Sequence, residues 1–335
     1  MKGKKFTWDV LLITILLLFS AYVYFKPIPE YHSIQDIQSS DFEEFYRQKL
    51  EASQIKKVRK DNEEKLIRFA EHPTDLAILY IHGFGASRAE GEMVVDSLST
   101  HLKANTYFLR LPGHGTDKND HSEANFSDYI AEAELTLSMM PLLGKKTILI
   151  GTSMGGLIAT YLASKHAGKI DALILCSPFY DYANYAGQLI NVPGILKIIS
   201  FLDSKGRITY PEEQIKTGRV LPEYPEFWYT EQNYEALFSL EDLKDFAARE
   251  EIFQEVTVPV LLFYYYKNEN EQDQAASVAA MLQAFDKFGV SKKPHPLNRK
   301  INVKDGDHVM FSKYVQADRK LIFKETFSFL EEIFN

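Results

Sequence analysis

The sequence predicts an α/β fold: a mostly parallel central sheet with helices on both faces and one inserted cap. Three observations carry this. Apolar runs of strand length alternate with helical patterns along most of the chain. Those runs are apolar throughout rather than at every second residue, as strands buried on both faces must be. The alternation breaks only once, between Pro178 and Pro259, in a stretch rich in Pro, Tyr, Phe and Trp. With 335 residues, 45% of them hydrophobic and 25% charged, the chain has the composition of a globular protein with a large core.

The first element stands apart from that fold. Lys2, Lys4 and Lys5 precede an apolar stretch from Val10 to Phe25, interrupted only by Thr14 and Ser20. At about 1.5 Å per residue it reaches roughly 24 Å or more, enough for the hydrocarbon core of a membrane. Tyr22, Tyr24, Phe25 and Lys26 suit the interface beyond it. Residues 1–26 are therefore predicted as a cytoplasmic tip and single-pass signal anchor, with everything after them outside the cytoplasm. The alternative is a secreted protein freed by signal cleavage. It finds support only in Ser20-Ala21, which bulky residues follow.

Residues 27–62, opened by Pro27 and Pro29 and continued by the polar helical stretch Asp41 to Arg59, read as a stalk or leading helix. Residues 63–335 read as the folded domain, with its cap at about 179–257. Lys65 to Phe69 suits an edge strand. Leu76–Ile81, Tyr107–Arg110, Thr147–Ile150, Ala172–Cys176 and Val260–Tyr265 suit buried ones. Helices are expected at Ala89–Leu102, Asp128–Met140 and Met154–Ala163.

Composition removes several functions. The net charge is −8 and no basic block follows the first five residues, which argues against nucleic acid as a partner. The single cysteine, Cys176, permits no intrachain disulfide, and no Cys/His metal spacing exists. Cys176 sits in an apolar run and reads as a buried strand residue. Neither metal nor cofactor is expected.

Gly151-Thr152-Ser153-Met154-Gly155 is the motif that carries chemistry. It follows one predicted strand and opens a helix, the setting in which a serine is held on a sharp, strained turn. Glycines are needed there because side chains would clash with strand and helix. His82-Gly83-Phe84-Gly85 follows another strand, where glycines let backbone N–H groups turn toward a ligand. The amides of Phe84 and Met154 are the expected oxyanion donors. His82 tempts as a base, but the order serine, acid, histidine assigns it to the loop. After the strand ending at Tyr265, the usual position for an acid falls near Asn268, an amide. Glu269, Glu271 and Asp273 remain. A helical stretch to Phe285 begins shortly after Asp273, and one reading is that Asp273 merely caps that helix.

With these motifs, Arg110-Leu111-Pro112-Gly113-His114-Gly115 and Gly306-Asp307-His308, the chain resembles the monoacylglycerol lipase and carboxylesterase branch of the α/β-hydrolases over roughly residues 64–335. The resemblance implies Ser153 as nucleophile and His308 as base, with no catalytic role for His114. It favours Asp273 as the acid, because a small, apolar segment like Gln274-Ala275-Ala276-Ser277-Val278 follows the acid in the hydrolases that this chain resembles, and a helical stretch comes next. His295, between two prolines, is the weaker candidate base. Implied too is hydrolysis of a short- or medium-chain carboxylic ester, such as a monoacylglycerol. Cap aromatics Phe179, Tyr180, Tyr182, Tyr185, Tyr224, Phe227, Trp228 and Tyr229 would line the acyl pocket or pack the cap. The competing classes are an acyltransferase or peptidase with the same triad, and a non-catalytic, membrane-tethered binding protein.

Overall fold

A computed structural model describes residues 8, 10, 14, 27–32, 41–192, 194–203 and 206–334. The predicted anchor, Val10 to Phe25, lies outside the described residues apart from Val10 and Thr14. Among the described residues no helix is long and apolar enough to cross a membrane.

Among the described residues the main sheet has eight strands, seven of them along one path: β1 (Lys65–Ile67), β2 (Thr74–Ile81), β3 (Asn105–Leu109), β4 (Gly144–Thr152), β5 (Ala172–Cys176), β6 (Val260–Asn268) and β7 (Arg299–Val303); the eighth, Glu271–Gln272, pairs antiparallel with β6. The order of the seven is β1-β3-β2-β4-β5-β6-β7. Along that path only β1 runs antiparallel, against β3; the other six are parallel. The apolar runs follow from two-sided burial. Along β2, Leu79 and Ile81 enter one core while Ile78 and Tyr80 enter the other. The same alternation places Leu149, Leu173 and Leu175 on the first side, and Ile150, Ile174 and Cys176 on the second.

The first core is covered by α1 (Phe42–Ile55), α3 (Phe126–Met139), α4 (Met154–Lys165) and α6 (Tyr234–Ala247). The second is covered by α2 (Glu92–Leu102) and α8 (Arg319–Phe334). α1 starts at Asp41, whose side chain accepts the Glu43 amide, and its Phe42 ring meets Tyr107 of β3 edge-on at 5.3 Å. α3 begins two residues before the sequence reading placed it. Asn125 and Asp128 form a capping box there, satisfying amides that the first turn leaves free. The predicted helix Ala89–Leu102 is broken at Gly91 into a single turn, Arg88–Glu90, and α2.

Between β5 and β6 the chain leaves the sheet, as expected, and forms α5 (Ile195–Leu202), α6 and shorter turns. It also holds a strand pair that the sequence did not reveal, Arg207–Ile208 against Glu231–Gln232. Two residues per strand are too few for a period-2 pattern to register. One aromatic ties this insertion to the domain. The Tyr229 amide donates to the Gly85 carbonyl at 2.7 Å. Its hydroxyl accepts the Thr116 amide at 2.8 Å and donates to the Gly113 carbonyl at 3.0 Å.

Candidate active site

β4 ends at Thr152, and α4 begins at Met154. The residue between, Ser153, has φ +53° and ψ −120°, which a side-chain-bearing residue adopts only under constraint. Close packing imposes it. A Cβ on Gly155 would lie 2.1 Å from the Ile81 carbonyl oxygen of β2, and one on Gly151 2.4 Å from that of Gly155. The Ser153 amide donates to the Cys176 carbonyl at 3.0 Å, so the turn is locked to β5 as well. Cys176 itself is fully buried and burial pushes its thiol well up.

The structure brings Ser153, His308 and Asp273 together, from positions 120 and more residues apart in the cases of Ser153 and Asp273. His308 Nε2 lies 2.8 Å from Ser153 Oγ, and its Nδ1 lies 2.7 Å from Asp273 Oδ2. The other carboxylate oxygen of Asp273 accepts the amides of Ala275 and Ala276, each at 2.9 Å. Asp273 is 1% exposed, Ser153 7%. The loop after Asp273 is pinned to the start of the insertion by Ser277 N to Asp181 O at 2.9 Å.

Asp273 does not cap the helix that follows, α7 (Val278–Phe285); Ser277 does, accepting the Ala280 amide. Nor is the segment from Lys267 to Gln272 a plain loop. β6 runs on to Asn268, and Glu271–Gln272 folds back on it as a hairpin. The hairpin projects Glu269 and Glu271 outward, where they bond Tyr266 and Lys267 respectively, and returns the chain to the sheet edge at Asp273.

Burial pushes the His308 pKa down, but the charges of Asp273, Glu90 and Asp307 outweigh it, and the imidazole ends above its ordinary value. Glu90 was not anticipated, since it reads in sequence as part of a helix. It is 2% exposed and accepts the Gly83 amide. Burial pushes its carboxyl up to about 7, although the Gly83 amide, His308, Trp228 and Tyr80 all favour the ionised form.

His82 does not reach Ser153. Its Nε2 accepts the Leu111 amide at 3.1 Å, and Nδ1 bonds the Gly83 carbonyl at 2.9 Å, consistent with a loop-holding role. Its ring is tilted against that of His114 at 5.0 Å, and His114 meets His121 edge-on at 4.6 Å. Burial, the largest cause, pushes His82 down to about 4, His121 to about 3 and His114 well down, so all three are neutral at ordinary pH. His295 bonds only locally, to the Leu297 amide. Phe84 follows the Gly83 turn and its ring meets His121 at 4.6 Å. Met154 is the first residue of α4, where its amide has no intrahelical acceptor.

Ser153, His308, Phe84 and Glu90 open onto a cavity of about 400 Å³. Ile190, Leu196, Ile199, Leu237 and Leu240 of the insertion form an apolar wall; Asn184, Arg207, Thr209 and Gln232 form a polar one. Of the cap aromatics, Phe179, Tyr182, Tyr224, Trp228 and Tyr229 line it. Tyr180 instead bonds Thr160, and Phe227 stacks on Tyr314. The side chain of Tyr185 lies outside the described residues. A larger hollow of about 720 Å³, beside Tyr180, Asp245 and Lys287, contains none of the groups around Ser153. Among the described residues no cluster of side chains is arranged to hold a metal ion.

The model of the alpha/beta hydrolase family matches residues 78–317. Among characterised proteins the chain is similar to a pimeloyl-[acyl-carrier protein] methyl ester esterase of Vibrio campbellii. The two are 32% identical over 106 residues, 32% of this chain and 37% of that one. A second such esterase, from Neisseria meningitidis, is 26% identical over 215 residues, 56% of this chain and 60% of that protein. The chain thus spans less than two thirds of the length of the curated relatives it matches. Among solved structures it resembles the monoacylglycerol lipase of Paleococcus ferrophilus, with a TM-score of 0.56 and 13% identity, covering 81% of this chain and 98% of that one. That likeness is one of fold.

Proposed function

The chain belongs to the alpha/beta hydrolase family, and from that premise we propose that it is a serine hydrolase of carboxylic esters. The observation that carries the proposal is the hydrogen-bonded series Ser153–His308–Asp273, opening onto a mainly apolar cavity. In this reading His308 Nε2 takes the Ser153 proton as Oγ attacks the ester carbonyl. The buried Asp273 carboxylate holds the imidazole in the required tautomer and stabilises the imidazolium. The amides of Phe84 and Met154 bind the developing oxyanion, aided by the positive end of α4. The alcohol leaves with the proton from His308. A water activated by the same imidazole then releases the acid from the acyl-enzyme. The substrate is a short- or medium-chain acyl ester, a monoacylglycerol among the candidates, since the cavity is small and closed by Leu and Ile side chains.

A series of p-nitrophenyl esters of rising chain length tests this directly. Turnover is expected to peak at short to medium acyl chains, and a fluorophosphonate should modify Ser153 stoichiometrically. A wild-type protein that hydrolyses none of the series and takes up no probe would remove the esterase reading.

We further propose that residues 1–26 hold the domain to a membrane with its active face outside the cytoplasm, on the strength of the apolar run and its lysine flank. Deleting residues 1–26 is expected to give a soluble protein of unchanged kcat. Recovery of the full-length gene product in the soluble fraction, cut near residue 21, would show a signal peptide instead.

A further inference from the structure

Among the described residues, no acid pairs with the one cation that lines the cavity. Arg207 lines the same cavity as Ser153 and His308. Its side chain is open to that space, while the surrounding protein pulls its pKa down by desolvation. The groups that act on its charge are the phenols of Tyr182 and Tyr234, both with their pKa raised and so neutral at ordinary pH. Among the described residues no ion pair or hydrogen bond engages its guanidinium. Three acids on the elements around it have partners of their own. Asp203 accepts the Tyr234 hydroxyl, Glu231 pairs with Lys118, and Glu241 pairs with Lys244.

The placement of Arg207 is fixed from the backbone. It is paired in register with Gln232 in the short antiparallel ribbon, and Thr209 N to Thr230 O at 2.8 Å extends the pairing. Gln232 in turn lies against the loop that carries Phe84, its side-chain nitrogen 2.2 Å from where a Cβ on Gly85 would stand. Gln232 is 4% exposed, and its side-chain oxygen has no hydrogen-bond partner among the described residues. The ribbon therefore sets Gln232 against the loop of Phe84 and its register partner Arg207 on the same cavity. A guanidinium stays protonated under all ordinary conditions, and Arg207, exposed on the cavity, is free to meet a ligand there. Its fork of donors matches a carboxylate or phosphate.

We propose that Arg207 is a specificity determinant, and that the preferred ester carries an anionic group, a carboxylate or phosphate, on the part of the substrate that faces the ribbon. This rests on the esterase reading above and names its substrate class. The apolar wall takes the methylenes between the ester and that group.

Four esters test it. p-Nitrophenyl hexanoate and mono-p-nitrophenyl adipate differ by a carboxylate at the end of the acyl chain. 4-Methoxycarbonylphenyl hexanoate and 4-carboxyphenyl hexanoate differ by one on the leaving alcohol. Wild type should prefer the anionic member of one pair by about tenfold or more in kcat/KM, mostly through KM, and that pair identifies the side that faces Arg207. The preference should shrink with added salt. Arg207→Gln should lose it while staying within about twofold on the neutral esters, which also shows that the variant is folded. Arg207→Lys should restore part of it. Equal or poorer turnover of both anionic esters by wild type overturns the proposal, as does an Arg207→Gln defect of the same size on neutral and anionic esters. Failure of wild type on all four strikes the esterase reading itself, a different result from hydrolysis without charge preference.

Discussion

Ser153→Ala is expected to reduce ester turnover by up to about 10⁶, to the level set by binding and the oxyanion donors alone. The substitution removes one oxygen and leaves the backbone partners of the turn in place, because the Ser153 amide and carbonyl make the contacts to Cys176 and Phe179. Loss of the Oγ–His308 hydrogen bond should change folding stability by about 1 kcal/mol or less. Activity and stability are therefore expected to separate. Initial rates on the best p-nitrophenyl ester, with thermal melts of both proteins, measure this. Retention of more than a few per cent of wild-type rate by a folded variant would transfer the nucleophile's role to another group.

Asp273→Asn is the second large effect, at roughly 10²–10⁴ in rate. Its physical basis is the division of labour between the two oxygens. Oδ1 accepts two amides, from Ala275 and Ala276, and those contacts fix an asparagine's oxygen in the same place. The new NH₂ group must then face His308 Nδ1. A donor there makes Nδ1 the acceptor and moves the ring proton to Nε2, where it blocks the transfer from Ser153. The variant also loses one of the charges that hold the His308 pKa up. A base must be neutral to act, so wild-type activity should fall on acidification with a midpoint above the ordinary histidine value of about 6.5. The residual activity of the variant should fall at lower pH. Glu269→Gln and Glu271→Gln should each cost less than tenfold, since both carboxylates bond only to exposed neighbours of the hairpin. A crippled Glu269→Gln enzyme beside a near-normal Asp273→Asn would show that the acid acts from the hairpin.

What could be read in advance follows from where the chain has least freedom. The strands were legible because burial on both faces demands unbroken runs such as Ile78 to Ile81 and Ala172 to Cys176. Ser153 was legible because close packing on β2 and the helix leaves only glycine possible at 151 and 155. Asp273 was harder, because an added hairpin carries the chain out and back before it is reached, and nothing in Asn268 to Gln272 announces a two-residue strand. Glu90 was missed for a similar reason. Its helical neighbourhood gave no sign that Gly91 breaks the helix and turns the carboxylate under Gly83. In the insertion the period-2 signal fails altogether, so nothing in the sequence singled out Arg207 or Gln232.

Tyr229 divides the insertion into two mechanical parts. Its bonds to Gly85, Gly113 and Thr116, with Asn62 Nδ2 on the Glu226 carbonyl, join residues 224–232 to the loops behind the oxyanion donors. Among the described residues the helix Ile195–Leu202 has no such fastening, and Phe201 and Leu202 stand largely in solvent. Selection can therefore remodel the apolar wall at Ile190, Leu196 and Ile199 as a separate module, retuning chain length by drift in one helix. A change at Tyr229 would be felt at once in the catalytic loops. Diversification among descendants of this chain is channelled to one side of the cavity by a single phenol.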